Sequence, residues 1–502
     1  MGNFPFINKR NRFRRAFLFL FVLMFLGGCQ IQNDLAQPYE SLDVSSCIED
    51  AFKNHDLITS SWVQDCWWEL FEDEQLSDLM NQMFQNNPTL SEAIERVSIA
   101  RNVAKQRLSP LLPSVDAQFE ELFAGFSWNS RGISDNWQAV PDSIIPKWIN
   151  FLGYVLNFKW TVDLWGKNRY LYKAAIDEVK MQIAEAAQTK LILSTQLAEV
   201  YFALQFALNK NGVEEEILKI KQEKLSILVK VYENALADEV ELQSLEKDIL
   251  IFQNSMLSNQ KDIELGIHQI KTLIGESACD QTPIKKPIPF FGSAFPFPEK
   301  VPIDLLLRRP DIISKIWTLQ AQVKKIKSAK VSFLPSIDLG SYSGFLDLSW
   351  QNLLNPRGWF SSILPGVTLP LFKGLQLRSN LQYTAKQYNL SVYNYNQALL
   401  NAAKEVVDSI LVFRISNQQL MKQEEIFQKQ RNLLELSSLR YEYGLNSYLD
   451  VLDTKIDVLE DEINMGIYNR LHLMAALNLI KSLGGGYQDL EAESKFQEPN
   501  NI

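Results

Sequence analysis

The sequence has few residues of the types that catalyse reactions or hold metal ions. Its three histidines, His55, His268 and His472, lie far apart in the chain. No Cys-x-x-Cys spacing accompanies them, and no glycine-rich loop follows a strand, so neither a zinc cluster nor a phosphate-binding loop is predicted. The glycine run 484–486 is expected to close a helix. The sequence therefore predicts a protein that is not an enzyme and has no cofactor or metal.

Cys29 stands where a covalent modification is expected. The apolar run Ala16–Leu26 follows five basic residues and is too short to cross a bilayer, which takes about 20 residues. Leu26-Gly27-Gly28-Cys29 then resembles the bacterial lipobox, which implies cleavage before Cys29 and acylation of its sulfur. Gln30, rather than aspartate, implies retention at the outer membrane. The alternative is an ordinary signal peptide with a chance cysteine. The basic residues are Lys9, Arg10, Arg12, Arg14 and Arg15.

Three further cysteines, Cys47, Cys66 and Cys279, leave an odd number after Cys29. Cys47 and Cys66 can form a disulfide bond in an oxidising compartment, but two unpaired thiols agree equally well with the sequence. Their state stays open.

The chain contains an internal duplication. Asn87-Pro88 begins a helical stretch that ends at Leu112-Pro113, and Arg309-Pro310 begins another that ends at Leu334-Pro335, 222 residues later in each case. Proline in the first helical turn and Leu-Pro after the last are typical start and stop signals. We therefore expect two similar halves.

Each half is also expected to contain a β-hairpin. Apolar residues alternate with mostly polar ones from Leu152 to Asp163, and weaker alternation marks the segments 115–123, 337–345 and 363–371. Four strands cannot close a barrel, and an open sheet in lipid leaves backbone groups unsatisfied. Copies must combine, two giving eight strands and three giving twelve. An eight-stranded barrel is filled by side chains, so a transport role favours three copies.

Long helices account for the remainder. Tyr170–Asn234 and Gln376–Tyr443 contain no proline and are each about 100 Å long at 1.5 Å per residue. Apolar residues at steps of three and four predict coiled-coil packing. Two helical hairpins are expected, with turns near Ala235 and Gly444.

Overall charge argues against nucleic acid as a partner. The chain of 502 residues has 46% hydrophobic residues and a formal charge of −9. Such a chain buries a core but offers no basic surface for phosphates.

Four motifs stand out in the chain: the segments 306–312 (LLRRPDI), 333–337 (FLPSI), 160–167 (WTVDLWGK) and 443–452 (YGLNSYLDVL). Together they resemble the TolC/OprM outer-membrane efflux family over roughly residues 67–486. The resemblance implies a mostly α fold with a small transmembrane β-barrel: a homotrimer with four strands per protomer in a twelve-stranded barrel, continued by a long α-helical coiled-coil tunnel into the periplasm. It also implies a periplasmic membrane-fusion adaptor, an inner-membrane RND-type pump and lipid around acylated Cys29 as partners.

The same resemblance assigns functional residues to the hairpin tips. Asp450 and Asp453 match the family's inward-pointing gate carboxylates, and Tyr441 is expected to brace the closed gate. Six such carboxylates in a trimer are expected to repel one another and hold cations. A simpler interpretation is that Ser447 caps the last helix with Asp450 at its third position. The adaptor-contact tips correspond to Ala235, Leu236, Gly444 and Leu445.

Domain boundaries and function follow from these observations. The expected function is the passive outer-membrane channel of a tripartite efflux system for drugs and small molecules. Alternatives are the outlet of a type I protein-secretion system and a periplasmic coiled-coil scaffold lipoprotein that does not form a channel. The expected segments are a signal peptide (1–28), an anchor and extension (29–66), a first efflux repeat (67–275), a linker (276–300), a second repeat (301–486) and a tail (487–502).

Overall fold

The computed structural model describes residues 66–125, 148–236, 238–279, 308–348, 350–352 and 355–487. After a short 3₁₀ turn at Trp67–Phe71, the elements are α1 (Glu74–Asn86), α2 (Pro88–Leu108), β1 (Ser114–Gly125), β2 (Trp148–Val162), α3 (Lys167–Glu233), α4 (Glu239–Leu273), α5 (Pro310–Val331), β3 (Ser336–Asp347), β4 (Trp359–Thr368), α6 (Gln376–Glu442) and α7 (Tyr448–Ser482).

The two halves repeat the same order of elements. A helix that begins at a proline leads to a hairpin, a 67-residue helix and a 35-residue helix in each half. A 67-residue helix is about 100 Å long. The predicted duplication, the two long helical hairpins and their turns near Ala235 and Gly444 are confirmed.

Each half closes on itself through an equivalent joint at the start of the helix that begins with a proline, α2 in the first half and α5 in the second. In the first half the Asn87 side chain caps α2 and donates to the Leu273 carbonyl at 2.7 Å, where α4 ends. In the second half the Arg309 guanidinium donates to the Ser482 carbonyl at 3.0 Å, where α7 ends. Arg309 also pairs with Asp311 and Glu405. Both joints satisfy carbonyls that a helix end leaves without a partner.

A glycine follows each of these helix ends. Gly275 and Gly484 have φ of +83° and +88°, which L side chains rarely adopt. A Cβ atom on Gly275 would lie 2.5 Å from the Asn86 carbonyl oxygen, and one on Gly484 would lie 3.0 Å from that of Arg308. Both glycines therefore allow close approach of two backbones as well as the turn.

The strands form one antiparallel sheet in the order β1-β2-β3-β4. β2 and β3 pair across the two halves, for example Trp160 with Leu339. The expected bounds of the fourth strand, 363–371, are wrong: β4 begins at Trp359 and ends at Thr368, which lies opposite Ser336, the first residue of its partner β3. β1 and β4 each have an outer edge with no neighbouring strand in the described sheet.

The predicted coiled-coil seams form the core of the helical part. The apolar stripe of α6 is buried from Tyr388 to Ile410, and Ile456 and Leu459 of α7 pack with Ile217 and Ile220 of α3. α3 contains a window apolar enough to span a membrane, but most of that window is buried. Since α3 packs against α1, α2, α4, α5 and α7, core packing explains its composition.

Candidate functional site

The tips of the two helical hairpins have the same backbone geometry. After α3, the N–H of Leu236 donates to Val231 and that of Ala235 to Tyr232. After α6, the N–H of Leu445 donates to Arg440 and that of Gly444 to Tyr441. Both are Schellman turns, with φ of +57° at Ala235 and +71° at Gly444. Ala235 thus takes, at the first tip, the left-handed conformation that Gly444 takes at the second.

Replacing Ala235 with glycine is expected to stabilise the first hairpin. An L residue in the left-handed region costs about 1 kcal/mol, and glycine removes that cost but is more flexible in the unfolded chain. We expect a net gain of about 0.5 kcal/mol in the free energy of unfolding, measured by chemical denaturation. The reciprocal change Gly444→Ala is the control and should destabilise. Equal effects of the same sign would contradict the shared geometry.

Asp450 caps α7. The Ser447 hydroxyl accepts from the Leu449 N–H at 3.1 Å, and the Asp450 carboxylate accepts from the Ser447 N–H at 3.0 Å, which together make a capping box. The capping role anticipated for Ser447 and Asp450 is confirmed. Asp450 is nevertheless exposed, so its charge remains open to solvent at the tip.

Asp453 pairs with the other hairpin. Lys224 of α3 donates to Asp453 Oδ1 at 2.6 Å. The lysine side chain is 21% exposed and the aspartate 50%. The pair joins α3 to α7 near the tips, and the lysine compensates the charge of the carboxylate within the same copy.

A second contact joins the same two helices closer to the tip. The Tyr448 hydroxyl donates to the Glu223 carboxylate at 3.1 Å, and this hydrogen bond raises the pKa of the Tyr448 phenol. The Tyr441 ring lies 5.3 Å from the Tyr448 ring, centroid to centroid. Tyr441 therefore supports the residue that bridges the two hairpins.

The sequence singled out Asp453 and Tyr441 as candidate gate residues but not the residues that they contact. Lys224, Glu223 and Tyr448 have no local pattern that marks them, because each contact with the other hairpin spans more than two hundred residues. Only the packing of α3 against α7 brings them together.

The two faces of the sheet differ in polarity, although Leu122, Leu346 and Leu364 are exposed on the more polar face. Residues opposite one another in the ladder share a face, so the register sorts the side chains. One face carries exposed apolar and aromatic side chains on β1, β2 and β4: Val115, Phe119, Tyr154, Leu156, Trp160, Trp359, Ile363 and Val367. The other carries Asp116, Glu120, Lys159 and Asp338. An apolar face open to the surroundings is typical of a sheet that meets lipid.

Comparison with known proteins agrees with this geometry. A family model described as outer membrane efflux protein matches residues 79–275 and 301–485. The chain belongs to the outer membrane efflux protein family. It is 27% identical to the multidrug resistance outer membrane protein MdtP of Escherichia coli K12 over 474 residues, which are 92% of this chain and 94% of the relative. It is 24% identical to MdtQ of E. coli O157:H7, over 96% of this chain and 100% of the relative.

Solved structures of outer-membrane channels share the fold. The CmeC channel of Campylobacter jejuni matches with a TM-score of 0.81 at 20% identity, covering 93% of this chain and 98% of that one. VceC of Vibrio cholerae matches with a TM-score of 0.74 at 24% identity, covering 85% and 100%. The TolC-like fold class and the outer-membrane location are therefore confirmed.

Members of the outer membrane efflux protein family are channels and not enzymes. The contacts of His472 agree with a structural role. His472 is buried on α7, with Nδ1 3.1 Å from the Ser416 hydroxyl and its ring against Phe413. Burial lowers the pKa of His472, so the ring is held neutral. Within the described ranges, no three His, Cys, Asp or Glu residues cluster as a metal site would require.

Several residues that the sequence singles out lie outside the described part of the chain. Cys29, Cys47 and His55 are among them. Cys66 and Cys279 are described and exposed. Acylation at Cys29 therefore stays a prediction, and the state of Cys47 stays open.

Proposed function

We propose that this protein is the outer-membrane channel of a tripartite efflux system, a passive exit duct built from three copies. The observation that carries the proposal is the four-stranded sheet, which has an exposed apolar face and two open edges. In lipid, each open backbone group costs several kcal/mol, so the edges must be paired. Three copies close a twelve-stranded barrel wide enough for a lumen, whereas two give a filled eight-stranded one.

The helices would continue this barrel as a tunnel. Each copy supplies two 67-residue helices and two 35-residue helices, so three copies place long hairpins side by side with their tips together. The strands pass directly into the long helices, with Val162 of β2 only a few residues before α3. The tunnel would thus extend about 100 Å from the barrel.

The gate would lie at the tips. Three Asp450 carboxylates would ring the entrance, exposed and free of a basic partner among the described contacts. Asp453 adds less charge than its sequence position suggests, because Lys224 pairs with it. A cation-selective entrance would then depend chiefly on Asp450, and closure on the Lys224–Asp453 pair.

The tips would also contact a periplasmic membrane-fusion adaptor, which links the channel to an inner-membrane RND-type pump. Leu236 and Leu445 are 79% and 68% exposed at the two turns. Exposed apolar side chains of this kind are typical of a surface that binds another protein. Ala235 and Gly444 shape the turns beneath them. Because the two tips differ at this position, the two sockets of each copy are not identical.

The substrates would be drugs and other small molecules. MdtP and MdtQ are named multidrug resistance proteins, and they match nearly the whole chain. The type I secretion outlet is the second candidate, since the same duct would serve it. The periplasmic scaffold is disfavoured because a scaffold has no use for a sheet with an exposed apolar face. Acylated Cys29 would anchor the channel in the outer-membrane leaflet.

Extraction and conductance together test this proposal. In the Cys29→Ala variant, which cannot be acylated, we expect extraction to require detergent still, because the sheet itself meets lipid. The purified protein should be trimeric and should conduct ions in planar bilayers. A water-soluble monomer after loss of acylation would overturn the channel proposal and favour the scaffold.

A further inference from the structure

The two halves of one chain meet at a joint between β2 and β3, here called the in-chain joint. The Thr161 hydroxyl donates to Asp338 Oδ1 at 2.7 Å, and the Ser336 hydroxyl donates to Asp338 Oδ2 at 3.2 Å. Just beyond the strands, Trp165 Nε1 donates to the Pro335 carbonyl at 2.8 Å. The bonds made by Thr161 and Trp165 cross between the two halves and fix where β2 lies on β3, while the Ser336 bond holds the Asp338 carboxylate within β3.

The in-chain joint is repeated in the sequence on the two outer strands, except that Phe372 replaces Trp165 and has no N–H to donate. The segment 113–116, Pro-Ser-Val-Asp at the start of β1, repeats the segment 335–338, Pro-Ser-Ile-Asp at the start of β3. Thr368 and Phe372, at the end of β4, repeat Thr161 and Trp165, in each case with three residues between the threonine and the aromatic residue. The second set cannot meet within one chain, because β1 and β4 lie at opposite edges of the sheet.

Apart from Ser114, whose hydroxyl donates to the Lys159 carbonyl at 3.5 Å, the second set is left without side-chain partners among the described residues. Phe372 is 89% exposed, whereas its counterpart Trp165 is 45% exposed. In the described part of the chain, neither the Asp116 carboxylate nor the Thr368 hydroxyl makes a side-chain hydrogen bond. Leu112 and Leu371, which flank the two segments, are exposed as well. One joint is thus formed within the chain, and the components of a second are exposed at its two outer strands.

In the proposed trimer the occupant of these edges is a second copy of this chain, with β4 beside the neighbour's β1. We propose that these two strands pair in the register that places Thr368 opposite the neighbour's Asp116. The Thr368 hydroxyl donates to the neighbour's Asp116 carboxylate, as Thr161 does to Asp338. Leu371 and Phe372 pack on the neighbour's Leu112-Pro113. This inference rests on the proposed trimer and adds the residues and the register through which its copies join.

The chemistry of the strands selects this register. A slip of one residue would turn the polar face of β1 onto the apolar face of the sheet. A slip of two residues keeps the faces but places Asp116 opposite Gly366 or Pro370. Neither residue has a side-chain donor, and Pro370 also lacks a backbone N–H. Only the register with Thr368 opposite Asp116 satisfies the carboxylate.

Cysteine cross-linking of the purified detergent-solubilised protein tests the proposal. In a background with serine at positions 47, 66 and 279 and Cys29 retained, Asp116→Cys is combined with Thr368→Cys and the protein is oxidised mildly. Directly opposed residues in an antiparallel pair have Cβ atoms about 4.5–5.5 Å apart, close enough for a disulfide after small shifts. We expect most of the protein to run as cross-linked dimer and trimer on a non-reducing gel.

Two matched pairs serve as controls. Thr161→Cys with Asp338→Cys copies the in-chain joint and should cross-link only within one copy. Thr368→Cys with Gln118→Cys represents the slipped register and should give much less intermolecular product. Stronger cross-linking through position 118 than through position 116 would overturn the register.

The mass of the assembly distinguishes failure of this inference from failure of the proposed function. A trimer, shown by its mass, in which no position 116 or 118 cross-links to position 368 would overturn this inference and leave the channel proposal standing. If the unsubstituted protein is a monomer, both this inference and the channel proposal are overturned. If the cysteine pairs fail to fold, Phe372→Ala should still lower the temperature at which the trimer dissociates, while Leu236→Ala at the far tip should not; an unchanged temperature would count against the joint.

Discussion

Replacing Gly275 with alanine is expected to destabilise the protein by about 3–4 kcal/mol. A left-handed backbone costs an L residue about 1–2 kcal/mol, and overpacking costs about 1–3 kcal/mol more. Both penalties apply, because Gly275 has φ of +83° and its new Cβ atom would lie 2.5 Å from the Asn86 carbonyl oxygen. The neighbouring atom belongs to the backbone, so it cannot move aside by a rotamer change. The free energy of unfolding, from chemical denaturation, measures the effect.

Two other glycines at helix ends supply a graded control. Gly484 has φ of +88°, and the nearest backbone oxygen would lie 3.0 Å from an alanine Cβ atom there, so this substitution should cost less, about 2–3 kcal/mol. Gly444 has φ of +71° and open space around it, so alanine should cost only about 1 kcal/mol. Three equal losses would show that backbone conformation alone matters and that the close approach at Asn86 does not.

Reversing the charge of Asp453 is expected to favour the open state of the channel. Asp453→Lys places two ammonium groups where Lys224 and Asp453 now lie 2.6 Å apart. Because the aspartate is 50% exposed, the lost pair is worth at most about 1 kcal/mol per copy. Three copies act together in the proposed trimer, so the opening equilibrium should shift by roughly tenfold to a hundredfold. Conductance in planar bilayers measures the change.

The charge swap distinguishes pairing from a general effect of charge. Asp453→Lys combined with Lys224→Asp should return conductance close to that of the unaltered protein. Glu216→Lys is a matched control, because Glu216 forms a longer and more exposed contact with Lys455 between the same two helices. High conductance in the swapped protein, or an equal effect of Glu216→Lys, would contradict a role for the Lys224–Asp453 pair in closure.

Local patterns in the sequence predict the elements of this fold well. Proline at the start of α2 and α5, apolar residues at steps of three and four, and period-two alternation around Trp160 each report on the conformation of a few neighbouring residues. Such signals depend on backbone sterics and on which side of an element is buried, and residues close together in the sequence determine both. β4 is the exception, since its start at Trp359 has little alternation to mark it.

The candidate gate can be predicted only in part. The capping role of Asp450 is visible in the sequence, because a capping box lies within four residues. The sequence predicts that Asp453 presents its charge to the entrance, and no feature of its neighbours reveals that Lys224 compensates that charge. A contact between two long helices depends on their relative rotation, which is set by packing along their whole length.

By itself, the amino-acid sequence determined that the chain is duplicated, that each half holds a hairpin and two long helices, and that one face of β2 is apolar. These properties follow from short-range periodicity. The tertiary structure alone decided that the halves join through β2 and β3, that β1 and β4 remain as open edges, and that Lys224 and Glu223 cross to α7. Those contacts link residues more than 170 positions apart, and their energies appear only when the helices and strands have been packed together.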